Sequence, residues 1–180
     1  MKKSNYFICS LFCMFLFSGC SNDEKGGNKN PFQGMSTYDK KRELEGALKR
    51  SAQKEHLQID SFLKRHNIVA KKTGTGVRYA IYQSGNGKKV EAGDYVEASY
   101  VITNIKGDTI YTVNDDKPVR FQVEKSEQES GLHEAIKFLS KEAQAIIVLP
   151  SYRAHGVSGD DDKIPPLTTV VYNIKLHRIL

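Results

Sequence analysis

The spacing of apolar residues changes several times along this chain, and each change marks a different kind of segment. Between Tyr6 and Phe17 apolar residues are almost continuous. From Ser21 to Thr37 they nearly vanish among Asn, Gly, Lys and Ser, a composition that builds no core and reads as a flexible linker. From Asp39 to His66, Leu44, Leu48, Ala52, Ile59, Phe62 and Leu63 recur near helical spacing. Ser36 or Thr37 is placed to cap that helix and Asn67 to stop it. A connection containing Gly74 runs from Ile68 to Thr75, after which the period falls to two: Val77, Tyr79 and Ile81, then Val96, Ala98, Tyr100 and Ile102, then Val119, Phe121 and Val123.

These alternating runs predict strands with one buried face. Gly85-Asn86-Gly87 and Gly93-Asp94 punctuate the first connection, and Lys106-Gly107-Asp108 marks a hairpin turn. Leu132, Ala135, Ile136 and Leu139 then stand at i, i+3, i+4 and i+7, a short helix with one apolar stripe. Ala145 to Leu149 is apolar on both alternations, as a central strand would be, and Val170, Tyr172, Ile174 and Leu176 alternate along the last strand. The pattern predicts an α+β fold: a largely antiparallel sheet curved around one short helix, preceded by an N-terminal helix. The expected divisions are 1–19, 20–37, 38–75 and 76–180.

Composition changes this picture mainly at the N-terminus. Lys2 and Lys3, the apolar run and Ser18-Gly19-Cys20 form a basic, an apolar and a small-residue region, as in a secretion signal. The apolar run is shorter than the roughly 18 residues needed to span a bilayer as a helix. The three cysteines, Cys9, Cys13 and Cys20, all lie here, and cleavage after residue 19 leaves Cys20 alone. Phe17-Ser18-Gly19-Cys20 resembles a bacterial lipobox, which implies a lipid on Cys20, a membrane partner and an outer-membrane lipoprotein facing the periplasm or the cell surface. Asp23 and Glu24 behind it read either as an acidic export tag or as a solvated linker. The formal charge of +6 falls to +4 without Lys2 and Lys3, which is 25 basic against 21 acidic residues. That balance gives no reason to expect nucleic acid. The charges of the long helix are of mixed sign and read as a solvated face.

The ordered motifs Gly76-Val77-x-Tyr79, Gly85-x-Gly87-x5-Gly93-Asp94-x-Val96-x3-Tyr100, Lys106-Gly107-Asp108-Thr109-Ile110, Pro118-x2-Phe121, Gly131-Leu132, Pro150-x3-Ala154-x-Gly156 and Ile164-Pro165-Pro166 carry a resemblance. Over residues 76–180 the chain resembles the FKBP-type peptidyl-prolyl cis-trans isomerases. With its leader and preceding helix it is similar to the gliding-motility-associated lipoprotein branch. The resemblance implies a proline-sized pocket on Tyr100, Ile110, Val119, Leu132, His155, Ile164 and Tyr172, with the backbone N–H of Glu129 donating to a substrate carbonyl. It implies unfolded or proline-containing polypeptide segments as partners, and chemistry without metal, cofactor or nucleophile.

The chain departs from the family pattern inside that pocket. Ile110-Tyr111 stands where Phe-Asp is usual, Leu132 where an aromatic floor is usual, Glu129 where an apolar residue is usual and His155 where a tyrosine is usual. Aliphatic side chains keep the pocket apolar but remove flat walls. Absence of a carboxylate at Tyr111 removes an anchor for a pocket tyrosine hydroxyl, expected to be that of Tyr100. These changes keep open a second reading, an FKBP-like protein-binding or chaperone module without isomerase activity. Asp160, Asp161 and Asp162 lack the alternating spacing of a calcium loop. The five histidines are scattered, and no nucleophile-elbow motif supports a Ser-His-Asp hydrolase.

Overall fold

The structure, a computed structural model, describes residues 33–180. The expected signal peptide, most of the linker and Cys20 lie outside the described residues.

Helix α1 runs Thr37–Arg65, starting where the Ser36 hydroxyl accepts from the Asp39 N–H at 3.1 Å and Asp39 adds negative charge to the first turn. It ends in a Schellman closure: Ile68 N–H donates to Leu63 C=O and Asn67 N–H to Lys64 C=O, with Asn67 at φ 53°. Nine strands follow, β1 (Lys71–Lys72), β2 (Arg78–Gln83), β3 (Asn86–Lys89), β4 (Tyr95–Asn104), β5 (Thr109–Val113), β6 (Val119–Gln122), β7 (Ser140–Lys141), β8 (Gln144–Leu149) and β9 (Val170–Ile179). Helix α2 (Ser130–Ile136) lies between β6 and β7.

The main sheet has the order β1-β2-β8-β9-β4-β5, every pairing antiparallel, and β6 shares the outer edge of β4 with β5. Strand β4 therefore meets β6 along Tyr95–Ala98 and β5 along Tyr100–Thr103. Where β9 passes β4, the register skips a residue at His177, a bulge that bends the ladder. This is the α+β architecture expected from the pattern, with β3 and β7 added as a separate two-stranded ribbon.

The two faces of the sheet bury different helices. On one, Leu132, Ala135, Ile136 and Leu139 pack with Ala98, Ile102, Ala145, Ile147, Leu149, Tyr172 and Ile174. On the other, Ile59, Phe62 and Leu63 of α1 pack on Val148 and Val171, with Ile146 alongside. Strand β8 is apolar on both alternations because it is covered on both sides. The first half of the apolar stripe of α1 finds no such cover: Leu44 is 53% and Leu48 is 48% exposed.

Arg78 departs from the expected period. It lies opposite the core face of β2 yet is buried, because Asp60 of α1 holds its guanidinium at 2.8 Å and Gly76 C=O accepts from Nη1 at 2.5 Å. Gly76 itself has φ +94°, and a Cβ there would lie 2.2 Å from the Tyr152 hydroxyl, so only glycine fits.

Candidate functional site

Two cross-strand rows build the base of a cavity of about 280 Å3. In one row Ile102 stands between Tyr111 of β5 and Tyr172 of β9, and in the next Tyr100 stands between Val113 and Ile174. Residues two apart on a strand share a face, so Tyr100 and Ile102 both line the cavity. The rings of Tyr100 and Tyr172 meet edge to face with centroids 5.3 Å apart. Glu127, Gln128 and Glu129 form a second wall, and His155 and Ile164 close the cavity from the loop between β8 and β9.

That loop is held at both ends by one carboxylate. Glu55 of α1 accepts from Ser151 N–H at 2.6 Å, Ser151 Oγ at 2.9 Å and Thr169 Oγ1 at 2.5 Å. Inside the loop, Asp160 Oδ1 accepts from Ile164 N–H at 2.7 Å and Asp162 N–H at 3.1 Å, which sets the turn that presents Ile164. Gly159 is required here, since a Cβ would stand 2.3 Å from Ile164 C=O. Tyr111 donates its hydroxyl to Asp160 at 2.5 Å and Asp162 at 3.1 Å, tying β5 to the same turn. The hydrogen bond to Asp160, with desolvation added, holds the Tyr111 hydroxyl well above its ordinary pKa. Desolvation pushes the Asp160 carboxyl up, but the hydrogen bonds from Tyr111, Ile164 and Asp162 outweigh it and lower it to about 2. The acidic run is thus a device for shaping the loop.

Glu129, the N-cap of α2, sits at the centre of the wall chemistry. Its Oε1 accepts from the Tyr172 hydroxyl at 2.5 Å and lies 2.9 Å from His155 Nε2. Burial, and then the Glu129 charge, push the Tyr172 hydroxyl well above its ordinary pKa and raise that of Tyr100 in the same order. Both phenols remain donors. The carboxylate anchor missing at Tyr111 is therefore supplied from the opposite wall, and it holds Tyr172 where Tyr100 was expected. Among the described residues neither the Tyr100 hydroxyl nor the Glu129 N–H donates to a protein acceptor.

The structure brings Tyr100, Glu129, His155, Ile164 and Tyr172 together around this cavity. It places the other three named residues elsewhere. Ile110 lines a separate groove beside Lys163 and Pro165: it is the extra residue where the β4–β5 register passes from Tyr111 to Thr109, while Tyr111 lines the cavity. Val119 is half-buried on the core, and Leu132 is fully buried on the core face of α2, outside the cavity lining. Sequence reasoning did not single out Ile102, Thr112, Val113 or Gln128 as wall residues, nor Glu55 as the loop clamp. The position of Glu55 on the apolar stripe between Ala52 and Ile59 was the available signal.

Ser99, Asp115 and His177 do meet, on the outer face of the sheet. Ser99 Oγ donates to Asp115 and lies 2.8 Å from His177 Nε2, while Asp115 is 3.5 Å from that same nitrogen. The carboxylate competes for the serine proton and leaves the other imidazole nitrogen unoriented, which is not the relay a nucleophilic serine requires. No cluster of His, Cys, Asp and Glu able to hold a metal ion occurs among the described residues.

Comparison with known proteins agrees with this geometry. Residues 86–177, just over half of the chain, match the profile of the FKBP-type peptidyl-prolyl cis-trans isomerase family. A probable FKBP-type peptidyl-prolyl cis-trans isomerase of Neisseria meningitidis, FkpA, is 31% identical over 124 residues. That stretch is 67% of this chain and 44% of the relative, so the chain spans under half of that protein's length. A peptidyl-prolyl cis-trans isomerase structure from Pseudomonas syringae superposes with a TM-score of 0.60 at 24% identity, covering 73% of this chain and 94% of that one. The structure of FkpA from Escherichia coli gives 0.62 at 22% identity, covering 81% and 74%. At these identities the two structures speak for the fold.

Proposed function

The chain belongs to the FKBP-type peptidyl-prolyl cis-trans isomerase family, and on that footing we propose that it accelerates rotation about Xaa-Pro bonds in exported polypeptides while tethered by a lipid on Cys20. The observation that carries this reading is the cavity itself: aromatic and aliphatic walls from Tyr100, Ile102, Ile164 and Tyr172 beside two unused donors, the Tyr100 hydroxyl and the Glu129 N–H.

Rotation about the prolyl bond costs roughly 18–20 kcal/mol because amide resonance is lost midway. A twisted amide is less dipolar than a planar one, so walls that exclude water favour it over the ground state. The unused donors hold the flanking carbonyls, leaving the imide free to turn. No bond breaks, so the residues position and desolvate and need no nucleophile. The partners are unfolded or proline-containing segments, met on the outer membrane facing the periplasm or the cell surface.

The test is nuclear magnetic resonance exchange on a short Xaa-Pro peptide with the full chain in mild detergent. Cis–trans exchange faster than the thermal rate is expected, and Tyr100→Phe should lower the catalysed rate roughly tenfold or more. Folded protein that gives no acceleration would overturn the isomerase reading. A second reading, a binding module without isomerase activity, draws on the burial of Leu132 on the core face of α2, outside the cavity lining; it expects peptide binding without acceleration. For the tether, Cys20→Ala should move the protein from membrane to soluble fractions. Retention of that variant on membranes would refute the lipid.

A further inference from the structure

The cavity wall carries negative charge that the rotation step leaves unused. Its lining includes Glu127 and Glu129 and no Lys or Arg. Behind Tyr111, Asp160 and Asp162 add two carboxylates, partly offset by Lys163, whose ammonium lies 5.0 Å from the centre of the Tyr111 ring. The chain as a whole is basic, with a formal charge of +6, so this acidity is local to the site.

Glu129 adds an independent observation. Its side chain is 8% exposed, and Oε1 is taken by Tyr172 and His155. Oε2 is buried with no hydrogen-bond partner. A buried carboxylate oxygen left unpaired leaves the Glu129 charge poorly compensated, and a cation brought into the cavity beside it offsets that cost. The prolyl ring carries neither charge nor N–H, so the cation must come from a residue beside the proline. Once a proline ring has displaced water from the cavity, attraction between the carboxylate and a cation strengthens as the local dielectric falls.

Resting on the prolyl-bond reading above, we propose that Glu129 makes this cavity select prolyl bonds flanked by a cationic side chain, lysine or arginine. A cation supplies the opposite charge. An acidic neighbour meets Glu127 and Glu129 with like charge, and a leucine offers neither benefit nor repulsion. Glu127, exposed at the rim, steers approach, while Glu129 attracts the cation from within the wall.

The experiment compares peptides of one sequence carrying Lys-Pro, Leu-Pro or Glu-Pro, using the full chain in detergent. Exchange rates report isomerisation and chemical-shift titrations report binding. The expected order is Lys above Leu above Glu, with roughly tenfold between Lys and Glu in kcat/KM or affinity. In Glu129→Gln that ratio should collapse toward one, and Glu127→Gln, on the exposed rim, should reduce it by a smaller factor. High salt should weaken the preference in the wild-type chain. Equal handling of the three peptides, or a ratio unchanged in Glu129→Gln with its fold intact by circular dichroism, would overturn the proposal. Should Glu129→Gln fail to fold, an unchanged ratio in Glu127→Gln together with insensitivity to salt would overturn it. Selective binding of Lys-Pro without acceleration would defeat the isomerase reading and leave the selectivity standing. Absence of binding to all three would defeat both.

Discussion

Glu55 occupies the apolar stripe of α1 between Ala52 and Ile59, and its carboxylate holds Ser151 and Thr169 at the two ends of the loop that carries His155 and Ile164. Removing it leaves a backbone N–H and two hydroxyls buried without an acceptor. Glu55→Ala should therefore lower unfolding stability by about 3 kcal/mol in urea titrations, with Glu55→Gln losing less. A loss below about 1 kcal/mol would show that the loop is held by its other bonds. The sequence places Glu55 on the stripe but cannot reveal its partners, because Ser151 lies 96 residues away. Tyr100 and Tyr172 are legible as inward-facing aromatics from alternation alone. That Tyr172 and His155 converge on one oxygen of Glu129 is not legible, because three elements have to meet first.

Helix α1 behaves as two halves. At 29 residues it is roughly 43 Å long, and only its C-terminal half reaches the sheet. Phe62→Ala should cost about 3 kcal/mol or more, because it opens a cavity against Val148 and Val171. Leu44→Ala should change stability by less than about 0.5 kcal/mol. Denaturant midpoints of the two variants measure both values, and comparable losses would place Leu44 in a packed interface. The stripe is continuous in sequence, so periodicity cannot tell the covered half from the exposed one. Strand β8 shows where the pattern sufficed, since an apolar run on both alternations demands cover on both faces. The β3–β7 ribbon escaped notice because Asn86–Lys89 and Ser140–Lys141 are short and polar.

Acid should loosen the whole molecule in two ranges of pH. His56 packs between Tyr152 and Gly76, and burial, followed by the charges of Arg78 and Lys72, lowers its pKa from 6.5. A lowered folded value means that its contribution is complete above about pH 6.5 and declines as pH falls below it. Asp160, lowered from 3.8 to about 2, contributes fully above about pH 4 and loses that contribution as pH falls toward 2. Urea midpoints against pH should fall in both ranges. His56→Gln should flatten the upper range, and Asp160→Asn the lower. A midpoint constant from pH 7 to pH 5 would contradict the first.

The sequence by itself determined both helices, the longer strands and their order, the antiparallel sheet around a short helix and the family resemblance, because periodicity and turn chemistry are local properties of the chain. Only the tertiary structure decided which side chains share a cavity: Tyr111 in place of Ile110, Leu132 sunk into the core from α2, Glu129 as the anchor and Glu55 as the clamp. Those facts depend on strand register and on which helix covers which face. Register and cover come from contacts between distant segments, which no local pattern records.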